Sequence, residues 1–201
     1  MHSMRPRRPL SDFWLFFSKF CSQGTRVGSV VPSSSFFARR MLSGIDWQQA
    51  KCVVELGAGT GAITAELLRQ RGSACRCLII ERDAEFCQRL RERFPTAEIV
   101  QADACDLDLL LRERHVERVD HILCCLTLPW FSPDNRHKVL DASRRSLAPA
   151  GSFRQMTYMP WVHYATYHRY FEDVRFRWVL LNIPPGGFYL CEKPRAISAD
   201  T

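Results

Sequence analysis

The sequence has no apolar run that approaches the roughly 20 residues of a membrane-spanning helix. Its first ten residues are basic, but the apolar stretch that follows carries Asp12, Ser18 and Lys19. No small-residue cleavage site comes after that stretch. We therefore expect neither a transmembrane helix nor a signal peptide.

Cysteine is plentiful, but the spacings that build disulfide frameworks or zinc sites are missing. None of the nine cysteines forms a C-x-x-C pair, and the close pairs are Cys75/Cys77 and Cys124/Cys125. The number is odd, and several cysteines lie in apolar, strand-like segments, where a thiol usually packs as a small buried hydrophobic group. The sequence therefore predicts a reducing compartment and no metal.

Lysine is scarce: nearly all of the 28 basic residues are arginines, and the net charge is +7. A basic protein suits an anionic partner such as nucleic acid, an acidic membrane surface or phosphate groups. The same charge could reflect composition and solubility alone, because the arginines are spread along the whole chain. Charge by itself therefore leaves the partner open.

The alternation of strand-like and helical segments predicts the fold class. The 201 residues, 46% of them hydrophobic, suffice for one domain with a packed core. We predict strands over 52–56, 77–80, 98–101, 121–126, 153–158, 176–181 and 188–191, and helices over 61–71, 84–94, 134–146 and 164–171. This pattern predicts an α/β fold: a Rossmann-like, doubly wound, mostly parallel seven-stranded sheet with an antiparallel last strand.

An N-terminal unit over 1–26 is predicted to precede the domain, which we place at 27–195 with a short tail over 196–201. It consists of a basic tail and an amphipathic helix over 11–22. The residues predicted to bind a membrane are the aromatic ones on its apolar face, Phe13, Trp14, Phe17 and Phe20. Alternatively, the helix packs over the ligand site as a lid, and the two roles are compatible.

A glycine-rich loop follows the first predicted strand and opens the next helix. Its spacing is G-x-G-x-G, at Gly57, Gly59 and Gly61, and differs from the G-x-G-x-x-G of dinucleotide folds. Glycines let the backbone turn sharply and approach a ligand at the carboxyl ends of the strands. Glu55, two residues earlier, favours a ligand with a cationic amino-acid moiety, whose ammonium it can hold directly or through water.

Acidic residues also end the next two predicted strands. Glu81 can accept hydrogen bonds from both hydroxyls of a ribose, and we assign its neighbour Arg82 to the same ligand. Asp103 can accept from an adenine amino group, while the amide of Ala104 contacts a ring nitrogen. Three such groups behind consecutive strands predict a nucleoside site.

Together these motifs resemble those of class I S-adenosylmethionine-dependent methyltransferases. The resemblance implies that S-adenosylmethionine is the cofactor. Its predicted ligands are the residues named above: Glu55, Gly57, Gly59, Gly61, Glu81, Arg82, Asp103 and Ala104. The alternative is a protein of the same fold that binds a nucleoside or a lipid and transfers no methyl group.

The loop after the fourth predicted strand is similar to the N-L-P-Y loop of N-methyltransferases that act on nucleobases. Thr127 stands in place of the Asn, and its hydroxyl lacks the donor-and-acceptor pair of an amide, which counts against adenine as the acceptor. We predict that Leu128, Pro129 and Trp130 form the catalytic loop. Alternatively, Pro129 and Trp130 only shape and pack it.

Further segments resemble bacterial phospholipid N-methyltransferases of the soluble, class I type, which are related to rRNA adenine dimethylases. These segments are 27–34, 148–153, 156–158 and 182–185, within a resemblance that covers about residues 27–193. The family usually has a small residue at Thr127 and a glycine at Ser152, and these departures leave the substrate open. The resemblance implies methylation of phosphatidylethanolamine toward phosphatidylcholine or its mono- and dimethyl forms. We therefore expect a cytoplasmic protein, peripherally associated with the inner face of the cell membrane, that acts on a phospholipid at an anionic surface.

A second hypothesis is that the chain is an rRNA adenine N6-methyltransferase or a small-molecule N-methyltransferase. It explains the positive charge, but the chain has no added RNA-binding domain, so nucleic acid is the less favoured partner. The sequence does not indicate an oligomeric state.

The acceptor amine must lose a proton before it can be methylated. Burial beside a cationic sulfonium lowers the pKa of an ammonium by about 3–5 units, so a strong base is not required. If there is a proton relay, Tyr158, His163 and Tyr164 are its candidates. These residues could instead pack, or hold a methylated ammonium by cation–π contact.

Overall fold

One seven-stranded sheet runs through the computed structural model, which describes residues 32–161, 164–180 and 186–196. The strands are β1 Cys52–Leu56, β2 Arg76–Glu81, β3 Glu98–Gln101, β4 Val119–Cys124, β5 Leu147–Thr157, β6 Phe171–Val179 and β7 Gly186–Pro194. Their order is β3-β2-β1-β4-β5-β7-β6. All pairings from β3 to β5 are parallel, and β7 is antiparallel to both β5 and β6. The predicted doubly wound, mostly parallel sheet with an antiparallel last strand is confirmed.

Helices cover both faces of this sheet. They are α1 Pro32–Leu42, α2 Ala62–Gln70, α3 Ala84–Arg93, α4 Leu107–Glu113, α5 Pro133–Ser146 and α6 Tyr164–Tyr167, with 3-10 turns at Ala104–Asp106 and Leu128–Trp130. Side chains of α1 to α3 pack on one face of the sheet, and those of α4 to α6 pack on the other. The inner strands are therefore buried on both faces, which explains their nearly continuous apolar sequences. None of the described helices is long and apolar enough to cross a membrane.

Several element boundaries differ from those predicted. β4 ends at Cys124, so Leu126 belongs to the loop that follows. β5 begins at Leu147, ahead of the predicted start at 153, and its register with β4 shifts between Leu147 and Ser152. β6 begins at Phe171, ahead of the predicted start at 176, because pairing with β7 extends it over 171–175. Of these residues, only Phe171 was assigned to the preceding helix.

The sequence patterns did not reveal α1 and α4. The described part of α1 opens on Pro-Ser-Ser-Ser, a run more typical of a turn than of a helix. α4 has seven residues, and only Leu107, Leu110 and Leu111 mark its buried face. Both helices are short segments that depend on packing against the sheet for their stability.

Side-chain caps fix the first residues of α3 and α5, two helices on opposite faces of the sheet. The Asp83 carboxylate accepts hydrogen bonds from the amides of Glu85 and Phe86, at 2.9 and 3.0 Å, and so caps α3. The Ser132 hydroxyl accepts from the Asn135 amide at 3.3 Å before α5, which opens with a proline. The caps hold the strand-to-helix turns at the edge where the parallel strands end, which we call the carboxyl edge.

A buried arginine ties α1 to the sheet. Nη1 of Arg154, on β5, donates to the carbonyl oxygens of Met41 and Ser43 at 2.6 and 2.9 Å, and its Nε donates to the Ser152 hydroxyl at 3.1 Å. Burial lowers the pKa of the Arg154 guanidinium to about 10. The contacts satisfy carbonyl groups at the end of α1 that no helical amide can reach.

Candidate active site

The glycine loop after β1 has the left-handed backbone that its sequence predicts. The φ angles of Gly57, Gly59 and Gly61 are 77°, 52° and 80°. A Cβ on Gly57 would lie 2.5 Å from Cδ2 of Leu126, and one on Gly61 would lie 2.7 Å from Cδ2 of Leu90. A Cβ on Gly59 would meet no atom within 4 Å. An added methyl group at Gly57 or Gly61 would therefore displace a packed side chain, while Gly59 borders open space that a ligand can enter.

Glu55 is a buried carboxylate directly before this loop. Its side chain is fully shielded from solvent, and its Oε2 accepts a hydrogen bond from the Thr64 hydroxyl at 2.8 Å. Among the described residues, nothing donates to its Oε1. Burial raises the pKa of Glu55 to about 7, opposed by the hydrogen bond from Thr64 and reinforced by the charge of Glu81. An unsatisfied buried carboxylate oxygen fits a ligand ammonium, as the sequence predicted for this residue.

Glu81 holds the loop together through backbone amides. Its Oε2 accepts from the Gly59 amide at 2.8 Å, and its Oε1 accepts from the amides of Arg82 and Asp83 at 2.8 and 2.9 Å. A carboxylate offers about four acceptor positions, so these bonds leave about one for a ribose hydroxyl. The residue therefore has a scaffolding role that the sequence did not reveal, and its predicted contact with two hydroxyls stays a prediction.

Asp103 and Arg82 meet at the ends of neighbouring strands. Asp103 Oδ1 accepts from the Cys105 amide at 2.9 Å, and Arg82 Nη1 lies 3.5 Å from Asp103 Oδ2. The Cys105 amide, with a smaller contribution from Arg82, lowers the pKa of Asp103. Ala104, the next residue, is buried. The structure thus brings the predicted cofactor residues of all three strand ends to one edge of the sheet.

The predicted acceptor loop lies across the end of β4. Leu128 to Trp130 form a 3-10 turn in which Leu128 is fully buried, Pro129 is partly buried, and Trp130 is 48% exposed. Gln155 on β5 supports the loop, because its Nε2 donates to the Leu126 carbonyl at 2.7 Å. Gln155 was not predicted from the sequence, because a glutamine within a strand belongs to no motif.

The aromatic residues beyond β5 occupy different surroundings. Tyr158 packs against Gly186, where an added Cβ would lie 2.6 Å from the ring. The hydroxyl of Tyr164 donates to the Val174 carbonyl at 3.3 Å. The third relay candidate, His163, lies outside the described residues, as do Phe13, Trp14, Phe17 and Phe20 of the predicted N-terminal helix. The relay stays a prediction.

The described cysteines are free thiols. Burial raises the pKa of Cys52 and of Cys124 to about 12, so both thiols are protonated at neutral pH. Within the described ranges, no group of three or more His, Cys, Asp or Glu side chains could hold a metal ion.

Comparisons with known proteins place this site in a family. A family model described as a methyltransferase domain matches residues 53–151, which span the glycine loop and the strand ends described above. The ornithine lipid N-methyltransferase of Singulisphaera acidiphila is 38% identical over 185 residues, which cover 90% of this chain and 96% of that protein. The chain belongs to the class I S-adenosylmethionine-dependent methyltransferases. The cofactor of this methyltransferase is therefore S-adenosylmethionine, as predicted.

Solved structures of other methyltransferases share the fold. The Burkholderia thailandensis 1,6-didemethyltoxoflavin-N1-methyltransferase, bound to S-adenosylhomocysteine, aligns with a TM-score of 0.61 and 16% identity over 98% of this chain and 94% of its own. The Bacillus cereus O-methyltransferase in complex with the same product aligns with a TM-score of 0.66 and 14% identity, over 93% and 91%. At these identities the likeness concerns the fold alone. The family and fold therefore leave the methyl acceptor to be decided.

Proposed function

We propose that this methyltransferase transfers methyl groups from S-adenosylmethionine to the primary amine of a membrane amino lipid. The similarity to an ornithine lipid N-methyltransferase, which extends over nearly the full length of both chains, supports a lipid acceptor. It makes ornithine lipid the first substrate to test. Phosphatidylethanolamine, which the phospholipid-methyltransferase resemblance implies, is the second.

The observation that carries the proposal is an exposed aromatic patch, defined as Trp161, Tyr164 and Trp178. Their side chains are 73%, 43% and 53% exposed. Tyr189 lies beside Tyr164, with ring centres 5.8 Å apart, and its hydroxyl donates to the backbone carbonyl of Pro160, the residue before Trp161. The Trp178 ring connects to Tyr189 through Phe176, with ring-centre distances of 4.9 and 5.1 Å.

The aromatic patch lies at the same edge of the sheet as the predicted cofactor residues. Trp178 lies at the end of β6, which runs parallel to β5, and Trp161 follows the end of β5. The patch therefore borders the carboxyl edge, where the cofactor residues also lie. Tryptophan and tyrosine favour the interface between water and lipid, because each ring has an apolar body and a polar group. A lipid surface that contacts the patch would present its headgroups at the edge that holds the cofactor.

Bound S-adenosylmethionine supplies an electrophilic methyl group on its sulfonium. In our proposal the Glu55 carboxylate binds the ammonium of the cofactor, and the space beside Gly59 lets the cofactor approach the backbone. In the same proposal Asp103, with Arg82 beside it, accepts a hydrogen bond from the adenine amino group. The chain then has to exclude water and bring a neutral amine in line with the methyl group, and positioning of this kind supplies about 7–11 kcal/mol of a barrier.

The test uses the purified full chain, S-adenosylmethionine with a labelled methyl group, and anionic vesicles that contain ornithine lipid, phosphatidylethanolamine or neither. We expect label in an amino lipid, identified by mass spectrometry, and none in vesicles without one. Label in ribosomal RNA and none in either lipid would overturn the proposal in favour of a nucleobase acceptor. The similarity to a ribosomal RNA small subunit methyltransferase A, which is 40% identical over 85 residues but covers only 28% of that protein, makes this arm necessary.

Variants of the aromatic patch test its contact with the membrane. Replacing both Trp161 and Trp178 by serine should reduce sedimentation with vesicles and raise the apparent KM for lipid at least several-fold. The affinity for S-adenosylhomocysteine should not change. Leu109→Ser is the matched control, because Leu109 is 48% exposed on α4, outside the patch. Equal loss in the double variant and in the control would remove this support for a lipid surface.

A further inference from the structure

A buried amide beneath the acceptor loop has one polar atom that the fold leaves unused. The side chain of Gln155 is fully shielded from solvent, and its Nε2 donates both to the Leu126 carbonyl at 2.7 Å and to the Met156 carbonyl at 2.8 Å. Within the part of the chain that the structure describes, nothing donates to its Oε1. A buried carbonyl without a partner costs about 1–3 kcal/mol.

The orientation of this amide is fixed by its own hydrogen bonds. Exchanging the oxygen and the nitrogen would point the Gln155 oxygen at two carbonyl oxygens and lose both bonds. The side chain therefore cannot satisfy Oε1 by turning over. Oε1 remains available to a donor that comes from outside the fold.

Gln155 also lies close to the acceptor loop and, through Leu126, to the glycine loop. On β5 it pairs with Cys124, the last residue of β4, and its hydrogen bond to Leu126 reaches the loop that follows. Leu126 in turn packs against Gly57, where an added Cβ would lie 2.5 Å from its side chain. One residue thus connects the amide of Gln155 to the glycine loop of the cofactor site.

We infer that Oε1 of Gln155 accepts a hydrogen bond from the amine that is methylated, and so orients the nitrogen lone pair toward the methyl group. This inference rests on the proposed function. The position suits an amide, since Thr127 in the acceptor loop offers only a hydroxyl. A neutral acceptor also suits the chemistry, because a carboxylate would stabilise the ammonium form, which cannot attack.

If Oε1 of Gln155 accepts a hydrogen bond from the acceptor amine, the effect of losing Oε1 should depend on the number of N–H groups on that amine. A neutral primary amine has two, a monomethyl amine has one, and a dimethyl amine has none. Gln155→Met keeps the length of the side chain but removes the acceptor, together with the Nε2 hydrogen bonds to Leu126 and Met156. It should slow methylation of the primary and monomethyl lipids roughly tenfold more than methylation of the dimethyl lipid, for which only the Nε2 bonds are lost.

The experiment supplies the three lipids separately in vesicles to the full chain and measures kcat and KM for each. S-adenosylhomocysteine affinity and the thermal midpoint show whether the variant is folded. Ser143→Ala is the matched control, because Ser143 is also fully buried and its side-chain oxygen has no hydrogen-bond partner among the described residues, but it lies near the end of α5. The control should change none of the three rates.

Gln155→Glu gives a second, independent readout through the pH–rate profile. A carboxylate at this position should raise the pKa of the bound ammonium, so that the rate falls at neutral pH and recovers as the pH rises. Equal slowing of all three steps in Gln155→Met, or an unshifted profile in Gln155→Glu, overturns this inference alone. A wild-type chain that methylates no amino lipid overturns both this inference and the proposed function.

Discussion

At the scale of single residues, two neighbouring glutamates have opposite surroundings. Glu55 is buried with one oxygen unpartnered among the described residues, whereas Glu81 accepts three backbone amides. This contrast indicates that the two glutamates have different roles. Glu55 is suited to bind a cation that arrives with the ligand, and Glu81 keeps the glycine loop in place before the ligand arrives.

We predict that Glu55→Gln weakens binding of S-adenosylhomocysteine by roughly thirtyfold, because the ligand ammonium would lose its buried partner, a loss of about 2 kcal/mol. Since the pKa of Glu55 is about 7 without ligand, binding at pH 7 should also release protons from the wild-type chain. Calorimetry in buffers of different ionisation enthalpy measures both effects. Glu66→Gln is the control, since Glu66 pairs with Arg69 on α2. Unchanged affinity and unchanged proton release in Glu55→Gln would contradict the assignment.

Two glycines of the loop should respond differently to the same substitution. Gly59→Ala adds a methyl group to open space at a φ of 52°, so it should cost about 1–2 kcal/mol of unfolding free energy but reduce the affinity for S-adenosylhomocysteine sharply. Gly57→Ala also collides with Leu126, and should lose more stability. Urea unfolding and ligand titration of the two variants provide the comparison. Equal effects on both properties would show that the space beside Gly59 is not where the cofactor binds.

Two buried titratable groups should make the stability nearly independent of pH between 7 and 5. Burial lowers the pKa of His121 to about 4, so the unfolded chain takes up protons first, and His121 removes about 2 kcal/mol of unfolding free energy on acidification. The raised pKa of Glu55, about 7, has the opposite effect. On acidification it adds a similar amount to the unfolding free energy, because the folded chain binds this proton at a higher pH than the unfolded chain does. In Glu55→Gln, only the decrease in unfolding free energy caused by His121 remains on acidification.

Urea unfolding at pH 7 and at pH 5 checks this prediction. The wild type should differ little between the two, and Glu55→Gln should be less stable at pH 5. Adding His121→Asn to Glu55→Gln should abolish the difference. A Glu55→Gln variant with equal stability at both values would be evidence that the two groups do not oppose each other.

At the scale of elements, contacts between distant segments hold the helices on the sheet. The short helix α1 depends on Arg154, whose guanidinium reaches two carbonyl groups at its end. We predict that Arg154→Met lowers the unfolding free energy by about 2–3 kcal/mol, because both carbonyl groups lose a buried partner. Chemical denaturation gives the value, and hydrogen exchange should show the loss of protection concentrated in α1.

The control for that substitution is Arg177→Met, since Arg177 is an exposed arginine on β6. It should change the stability by less than about 0.5 kcal/mol. If both variants lose the same stability, or if the protection of α1 is unaffected, the contact does not anchor the helix.

At the scale of the whole molecule, the carboxyl edge combines the predicted cofactor residues with the aromatic patch, and the aromatic face predicted for residues 11–22 is a separate candidate for membrane contact. We predict that deleting residues 1–26 reduces sedimentation with anionic vesicles and preserves S-adenosylhomocysteine binding, because all the predicted cofactor residues lie after that segment. Full retention of vesicle binding would assign that helix to another role, such as a lid. Loss of cofactor binding would likewise point to a lid.

Much of the fold could be predicted from the sequence, because its signals are local. Alternating apolar segments indicated the parallel sheet, and the glycines with Glu55, Glu81 and Asp103 indicated a nucleoside site at its carboxyl edge. These residues lie at strand ends, and strand ends can be located from a few contiguous residues. The helices α1 and α4 were missed because their local patterns are short and their burial comes from packing.

Which polar atoms are satisfied, and which are left for a ligand, depends on the folded chain. Gln155 and Leu126 are 29 positions apart, and Glu81 and Gly59 are 22 apart, so no local pattern could reveal either hydrogen bond. The aromatic patch likewise combines residues of α6, of β6 and of the turn after β5, which are far apart in the sequence. Local sequence patterns are sufficient to predict the layers of the fold and the types of side chain at its carboxyl edge. Folding decided the remainder, because hydrogen-bond partners and exposure depend on residues that meet only when the strands pair.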